Sequence, residues 1–137
     1  MSIIKLITDS GSDITYENEQ RYGIQIIPFK VVMGDQTYIS RIDFDNEKFY
    51  EMVDKFDGVP TTVQITPYEF VEIFEEHYKN GYTDIINVSI NSAGSGTHSN
   101  AVVASEIFFE NHPEAKETFS IYNIDSLSYT AGYGYAV

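Results

Sequence analysis

The chain alternates short apolar runs with amphipathic stretches, and the two periods separate strands from helices. Ile3 to Ile7 is a nearly continuous apolar run and reads as a buried first strand, closed by the polar turn Asp9-Ser10-Gly11-Ser12-Asp13. A short polar helix is predicted from about Thr15 to Tyr22, with Gly23 as the residue that stops it. Ile24 to Phe29 is a second strand whose Pro28 implies an edge or an irregularity near its end. Lys30 to Met33 and Gln36 to Ile39 flank Gly34-Asp35, the signal of a two-residue hairpin. Phe49, Met52, Val53 and Phe56 then recur on one helical face. Thr66-Pro67-Tyr68-Glu69 is a capping box with proline at the first helical position. It opens a helix whose stripe is Phe70, Val71, Phe74 and Tyr78. Ile85 to Ser89 is the next strand, a helix carries Ala101, Val102, Ser105, Phe108 and Phe109, and Phe119 to Ile124 is the last strand. Tyr129 to Val137 reads as a helix of small residues.

Strands alternating with helices predict an α/β fold: a mostly parallel sheet sandwiched by helices, with a small β-hairpin insertion. Ligands of such folds bind at the carboxyl ends of the strands. Four segments are expected to meet there: Thr8 to Asp13, Pro60 to Thr62, Ser89 to Thr97, and Asp125-Ser126. All are rich in hydroxyls and small residues, and none contains Lys or Arg.

Composition narrows the function. The 137 residues carry 8 Lys+Arg against 21 Asp+Glu, a formal charge of −13, which disfavours nucleic acid and anionic membrane surfaces. There is no cysteine, which removes disulfides, thiolate nucleophiles and cysteine metal sites, and fits a reducing cytoplasm. The N-terminal apolar run, interrupted by Lys5 and ended by Asp9, is too short for a signal peptide or a spanning helix. With no repeat or linker-like tract, residues 1–137 are expected to form a single domain.

The loop Gly94-Ser95-Gly96-Thr97, between a strand and a helix, presents backbone N–H groups and hydroxyls at a helix N-terminus. It serves equally well to cap the helix or to hold a small anion. Nucleotide sites fit less well: Gly94-x-Gly96-x-x-Ser99 lacks the closing Gly or Ala of a dinucleotide fingerprint, and no phosphate-loop Gly-Lys-Ser/Thr is present. A serine hydrolase using Ser95 is the alternative reading, but residues 93–97 lack Gly-x-Ser-x-Gly, and His98 stands only three residues away. The three histidines share no metal-ligand spacing, and Asp9 and Asp13 are expected to bind backbone N–H groups of their own turn. What remains is an anion held without a counter-charge: a carboxylate on hydroxyls and amides, with 20 aromatic residues available for an apolar tail.

These loops resemble a known family. Ile7-Thr8-Asp9-Ser10-Gly11-Ser12-Asp13-Ile14 is similar to the N-terminal signature of the DegV family of bacterial fatty-acid-binding proteins. Ile26-Ile27-Pro28-Phe29, Phe49-Tyr50, Pro60-Thr61-Thr62-Val63-Gln64, Ser89-Ile90-Asn91-Ser92-Ala93-Gly94-Ser95-Gly96-Thr97 and Asp125-Ser126 resemble its later motifs in the same order. The resemblance implies the N-terminal domain of a normally two-domain fold, the second domain being absent from this chain. It implies a non-catalytic carrier of a long-chain fatty acid, which a separate fatty acid kinase phosphorylates for phospholipid synthesis. No cofactor beyond the bound acid and no stable membrane insertion are implied, and the location is cytoplasmic. By motif position Thr62 and Ser95 are the carboxylate donors, with the Gly96 backbone and Ser92 secondary. Thr8, Asp9, Ser10, Thr97, Asp125 and Ser126 are supporting loop residues. Gly94 stands where the family usually has Leu, and Val63 where Ser is common.

Overall fold

A computed structural model describes residues 1–129. Strands β1 (Ile4–Asp9), β2 (Gln25–Ile27), β6 (Asp84–Ser89) and β7 (Ser120–Asp125) form one sheet, in the order β2-β1-β6-β7. Every pairing in it is parallel. Strands β3 (Lys30–Met33), β4 (Gln36–Ile39) and β5 (Thr61–Val63) form a second, antiparallel sheet in the order β4-β3-β5. The helices are α1 (Tyr16–Tyr22), α2 (Asn46–Lys55), α3 (Pro67–Lys79) and α4 (Thr97–Asn111). The α/β class, the parallel sheet and the hairpin are as the sequence indicates.

Local chemistry sets the boundaries. Thr15 and Asp45 cap α1 and α2, and Thr66 forms the expected capping box with Glu69, whose Oε2 accepts the Thr66 N–H at 2.7 Å. Gly23 ends α1 at φ 64°, a left-handed conformation that glycine adopts without a Cβ penalty. β2 stops at Ile27 because Pro28 has no N–H to continue the ladder; the next amide, Phe29 N–H, donates to Ser10 Oγ at 3.0 Å. The chain leaves the parallel sheet at that proline and enters the second sheet at Lys30.

Strand alternation divides the core. Ile7 and Ile85 face α3 and α4, where Phe70, Phe74, Ala101, Ala104, Phe108 and Phe119 complete the main core. On the other face Ile26 packs with Ile14 and Ile24 of the α1 layer, with Leu6 against them. Ile14 and Ile24, which flank α1, cover that face only near β1 and β2. Tyr122 and Ile124 of β7 are 52% and 45% exposed among the described residues, so helical cover there is thinner than the sequence led us to expect. The expected terminal helix lies, apart from Tyr129, outside the described residues.

The hairpin gains a partner that the sequence left as loop: β5 adds to β3, with Thr62 opposite Val31. Three residues are too few to show a period. On the main-core face, Asn87 and Asn123 stand opposite one another. Asn87 donates to Asn123 at 3.2 Å, and Asn123 donates to Ser105 of α4 at 2.7 Å. This hydrogen-bonded pair, Asn87 buried and Asn123 half-buried, ties the β6–β7 register to α4.

Candidate functional site

The carboxyl ends of β1, β6 and β7 meet in one polar edge, built on Asp9. Its carboxylate, 2% exposed, accepts Gly11 N–H at 3.1 Å through one oxygen and Ile90 N–H at 2.9 Å through the other. It thereby joins the turn after β1 to the loop after β6. Thr8 donates to the Val88 carbonyl at 2.8 Å, and Ser10 accepts from Phe29. Thr8, Asp9 and Ser10 thus tie the end of β1 to the backbone of Val88, Ile90 and Phe29. Asp13 instead takes a left-handed turn conformation at φ 53°, with its N–H on the Ser10 carbonyl.

The loop from Ser89 to Thr97 is held from β7. Ser92 donates its hydroxyl to Asp125 Oδ2, and its N–H reaches Asp125 Oδ1 at 3.2 Å. Leu127 N–H adds a third contact at 2.9 Å. These bonds, the Ser92 hydroxyl foremost, hold the Asp125 carboxyl below its ordinary value. A carboxyl lowered in the folded chain contributes stability that is present above the unfolded value and lost as pH falls through the folded one. Ser92→Ala is therefore expected to move the Asp125 titration upward toward an ordinary aspartate, measured by carboxyl NMR; an unmoved titration contradicts the assignment. Ser126 extends the clamp, its N–H on the Ser89 carbonyl at 3.0 Å.

Gly96 is the N-cap of α4, with no side-chain cap of its own. Ser95 supplies the first turn instead: its Oγ accepts Thr97 N–H at 3.2 Å and donates to Thr97 Oγ1 at 3.0 Å. The Gly96 N–H donates to Gln64 Oε1 at 2.8 Å. The amides of His98 and Ser99 have no hydrogen-bond partner among the described residues, so α4 presents open donors at the positive end of its dipole. Gln64 follows β5 directly, so its bond brings the exposed Thr62 strand to the Ser95 loop.

The structure thus brings Ser92, Ser95, Gly96, Thr97, Asp125 and Ser126 to one place, with Thr8 to Ser10 behind them. Thr62 reaches it through Gln64. Gln64 is the residue that sequence reasoning quoted and left without a role. Polar and exposed, with no periodicity, it carried no local signal; only its contact 32 residues away reveals it.

Hydrolase geometry is not assembled here. The Ser95 hydroxyl is engaged with Thr97, while His98 Nε2 lies 3.4 Å from the Asn123 carbonyl. Among the described residues no group of three or more His, Asp or Glu is placed to hold a metal ion. No described helix is long and apolar enough to cross a membrane. Two open grooves lie away from Ser95, one of about 350 Å³ between Ser10, Tyr16 and Arg41, the other of about 430 Å³ beside Val102, Phe109 and Lys116.

The domain is α/β, with uncharged donors gathered at the strand ends, the edge where ligands of such folds bind. Comparison makes this specific: the family described as "Uncharacterised protein, DegV family" matches residues 3–137, and the chain belongs to the DegV family. A DegV domain-containing protein of Caldanaerobacter subterraneus is 33% identical over 137 residues, which span 100% of this chain and 45% of that one. The crystal structure of DegV, a fatty acid binding protein from Bacillus subtilis, aligns with a TM-score of 0.86 at 31% identity, over 98% of this chain and 45% of that one. The Streptococcus pneumoniae fatty acid kinase B3 protein, solved with linoleic acid, aligns with a TM-score of 0.72 at 26% identity, over 93% of this chain and 43% of that one. This chain therefore spans less than half the length of these relatives.

Proposed function

We propose that this domain binds a long-chain fatty acid as a non-catalytic carrier and presents its carboxylate to a fatty acid kinase in the cytoplasm. The observation that carries the reading is the first turn of α4, where neutral donors converge with no Lys or Arg in the loop. A carboxylate suits them: its oxygens accept from two or three N–H and O–H groups, whereas a phosphate more often recruits Arg or Lys. The solved relatives named above, described as fatty-acid-binding or holding linoleic acid, support the same choice of ligand.

Thr62 and Ser95 are the proposed hydroxyl donors, and Gly96 offers its backbone. Ser92, whose hydroxyl holds Asp125, acts by fixing the loop. Transfer of its phosphorylated form to phospholipid synthesis completes the proposal.

Lipid extraction from the purified chain, followed by mass spectrometry, is expected to recover a long-chain acid at about one equivalent. Ser95→Ala and Thr62→Val are each expected to weaken oleate binding by about 1.5–3 kcal/mol, the scale of a hydrogen bond to a charged group. A chain that neither retains nor takes up fatty acid overturns the reading. Two variants that bind oleate as tightly as the parent overturn the residue assignment.

A further inference from the structure

Gln64 lies directly against the α4 N-terminus. Besides accepting the Gly96 N–H at 2.8 Å, its terminal amide atoms lie 2.6–2.9 Å from where a Cβ on residue 96 would stand. Only a glycine at 96 admits the carboxamide so near the backbone. A second polar feature lies at the end of β6. Ser89 shares a strand face with Asn87, the face that α4 covers; its hydroxyl is buried and has no hydrogen-bond partner among the described residues. The turn thus holds the open amides of His98 and Ser99, with the Gln64 carboxamide resting on the Gly96 N–H and the Ser95 hydroxyl on that of Thr97.

A carboxamide and a carboxylate are planar groups of nearly the same shape. They differ in that the carboxamide has two N–H donors and no charge. The Gln64 oxygen on the Gly96 N–H is thus a planar acceptor of the kind a carboxylate oxygen would supply.

We infer that Gln64 determines head-group specificity: it yields the Gly96 N–H to the incoming carboxylate and turns its own Nε2–H₂ to donate to it. This inference rests on the fatty-acid reading above. A half-turn about the Gln64 Cγ–Cδ bond exchanges an acceptor for a donor with no change of backbone. The occupied site then presents donors from Gln64, Ser95 and Gly96, a set that favours an ionised head over an alcohol or an ester. A strut role, in which Gln64 merely pins the end of β5 to α4, makes no distinction between head groups.

The test compares oleate with oleyl alcohol, which share a tail. Gln64→Glu keeps the shape and the acceptor but removes both donors and adds a negative charge. At pH 8 it is expected to weaken oleate binding by at least tenfold, leave oleyl alcohol within about twofold, and regain oleate affinity as pH falls and the glutamate is protonated. Equal loss for both ligands, or none for either, overturns the inference. A measurement on the parent chain stands apart from any folding defect: saturating oleate is expected to shift the Gln64 side-chain NH₂ pair and the Gly96 amide in ¹⁵N spectra, and oleyl alcohol to leave the NH₂ pair in place. An NH₂ pair indifferent to oleate also overturns it. A parent chain that binds neither ligand fails at the earlier step, fatty-acid binding itself, and removes both proposals together. Oleate binding unchanged by Gln64→Glu removes only this one.

Discussion

Asp9→Ala is expected to destabilise the chain by about 3–6 kcal/mol in equilibrium denaturation, from two hydrogen bonds to a charged group at about 1.5–3 kcal/mol each. The carboxylate is 2% exposed and satisfies Gly11 N–H and Ile90 N–H together, so its removal strands both amides at once. Solvent cannot easily replace a buried acceptor that joins two loops. The effect reaches the site because Ile90 begins the loop that ends at Ser95 and Gly96. Asp9→Asn, which keeps one acceptor oxygen, is expected to cost less, since its NH₂ must face one of the two donors. A loss below about 1 kcal/mol for the alanine variant contradicts the account.

Phe108→Ala is expected to cost a similar amount, about 3–5 kcal/mol, by a different route. Its ring is fully buried, with Tyr78, Phe109, His112 and Phe119 at centroid distances of 4.9–5.6 Å. It is therefore the point where α3, the end of α4 and the start of β7 interlock. Deleting it forfeits the transfer of the ring from water and leaves a cavity that rigid aromatic neighbours close only in part. Phe108→Leu, filling most of that volume, is expected to lose less than half as much. The two alanine variants should differ in function. Phe108 lies far along α4 from the Ser95 turn, so its folded fraction is expected to keep oleate affinity within a few-fold, while that of Asp9→Ala is not. Equal binding loss in both variants contradicts the separation.

Much of the fold was legible because its signals are local. The Thr66 capping box, Gly23 after α1, the Gly34-Asp35 turn and the Pro28 break each act through neighbours within a few residues, and each is found where its chemistry puts it. β5 was not legible. Thr61, Thr62 and Val63 are exposed, and what makes them a strand is the free edge of β3, which local sequence does not reveal. The thin cover over Tyr122 and Ile124 escaped for the same reason: alternation says that a strand has two faces, not which helix lies on each.

The site divides in the same way. By itself the sequence determined that hydroxyl-rich, Lys- and Arg-free loops follow the parallel strands, and that a glycine-flanked serine precedes a helix. Both depend only on residue order and backbone preference. The tertiary structure alone decided what each polar group does. Ser92 holds Asp125 across 33 residues, Asp9 reaches Ile90 across 81, and Gln64 covers Gly96 across 32. A hydrogen bond requires its partners within about 3 Å. For residues so distant along the chain, packing of the strands and helices is what brings them to that separation.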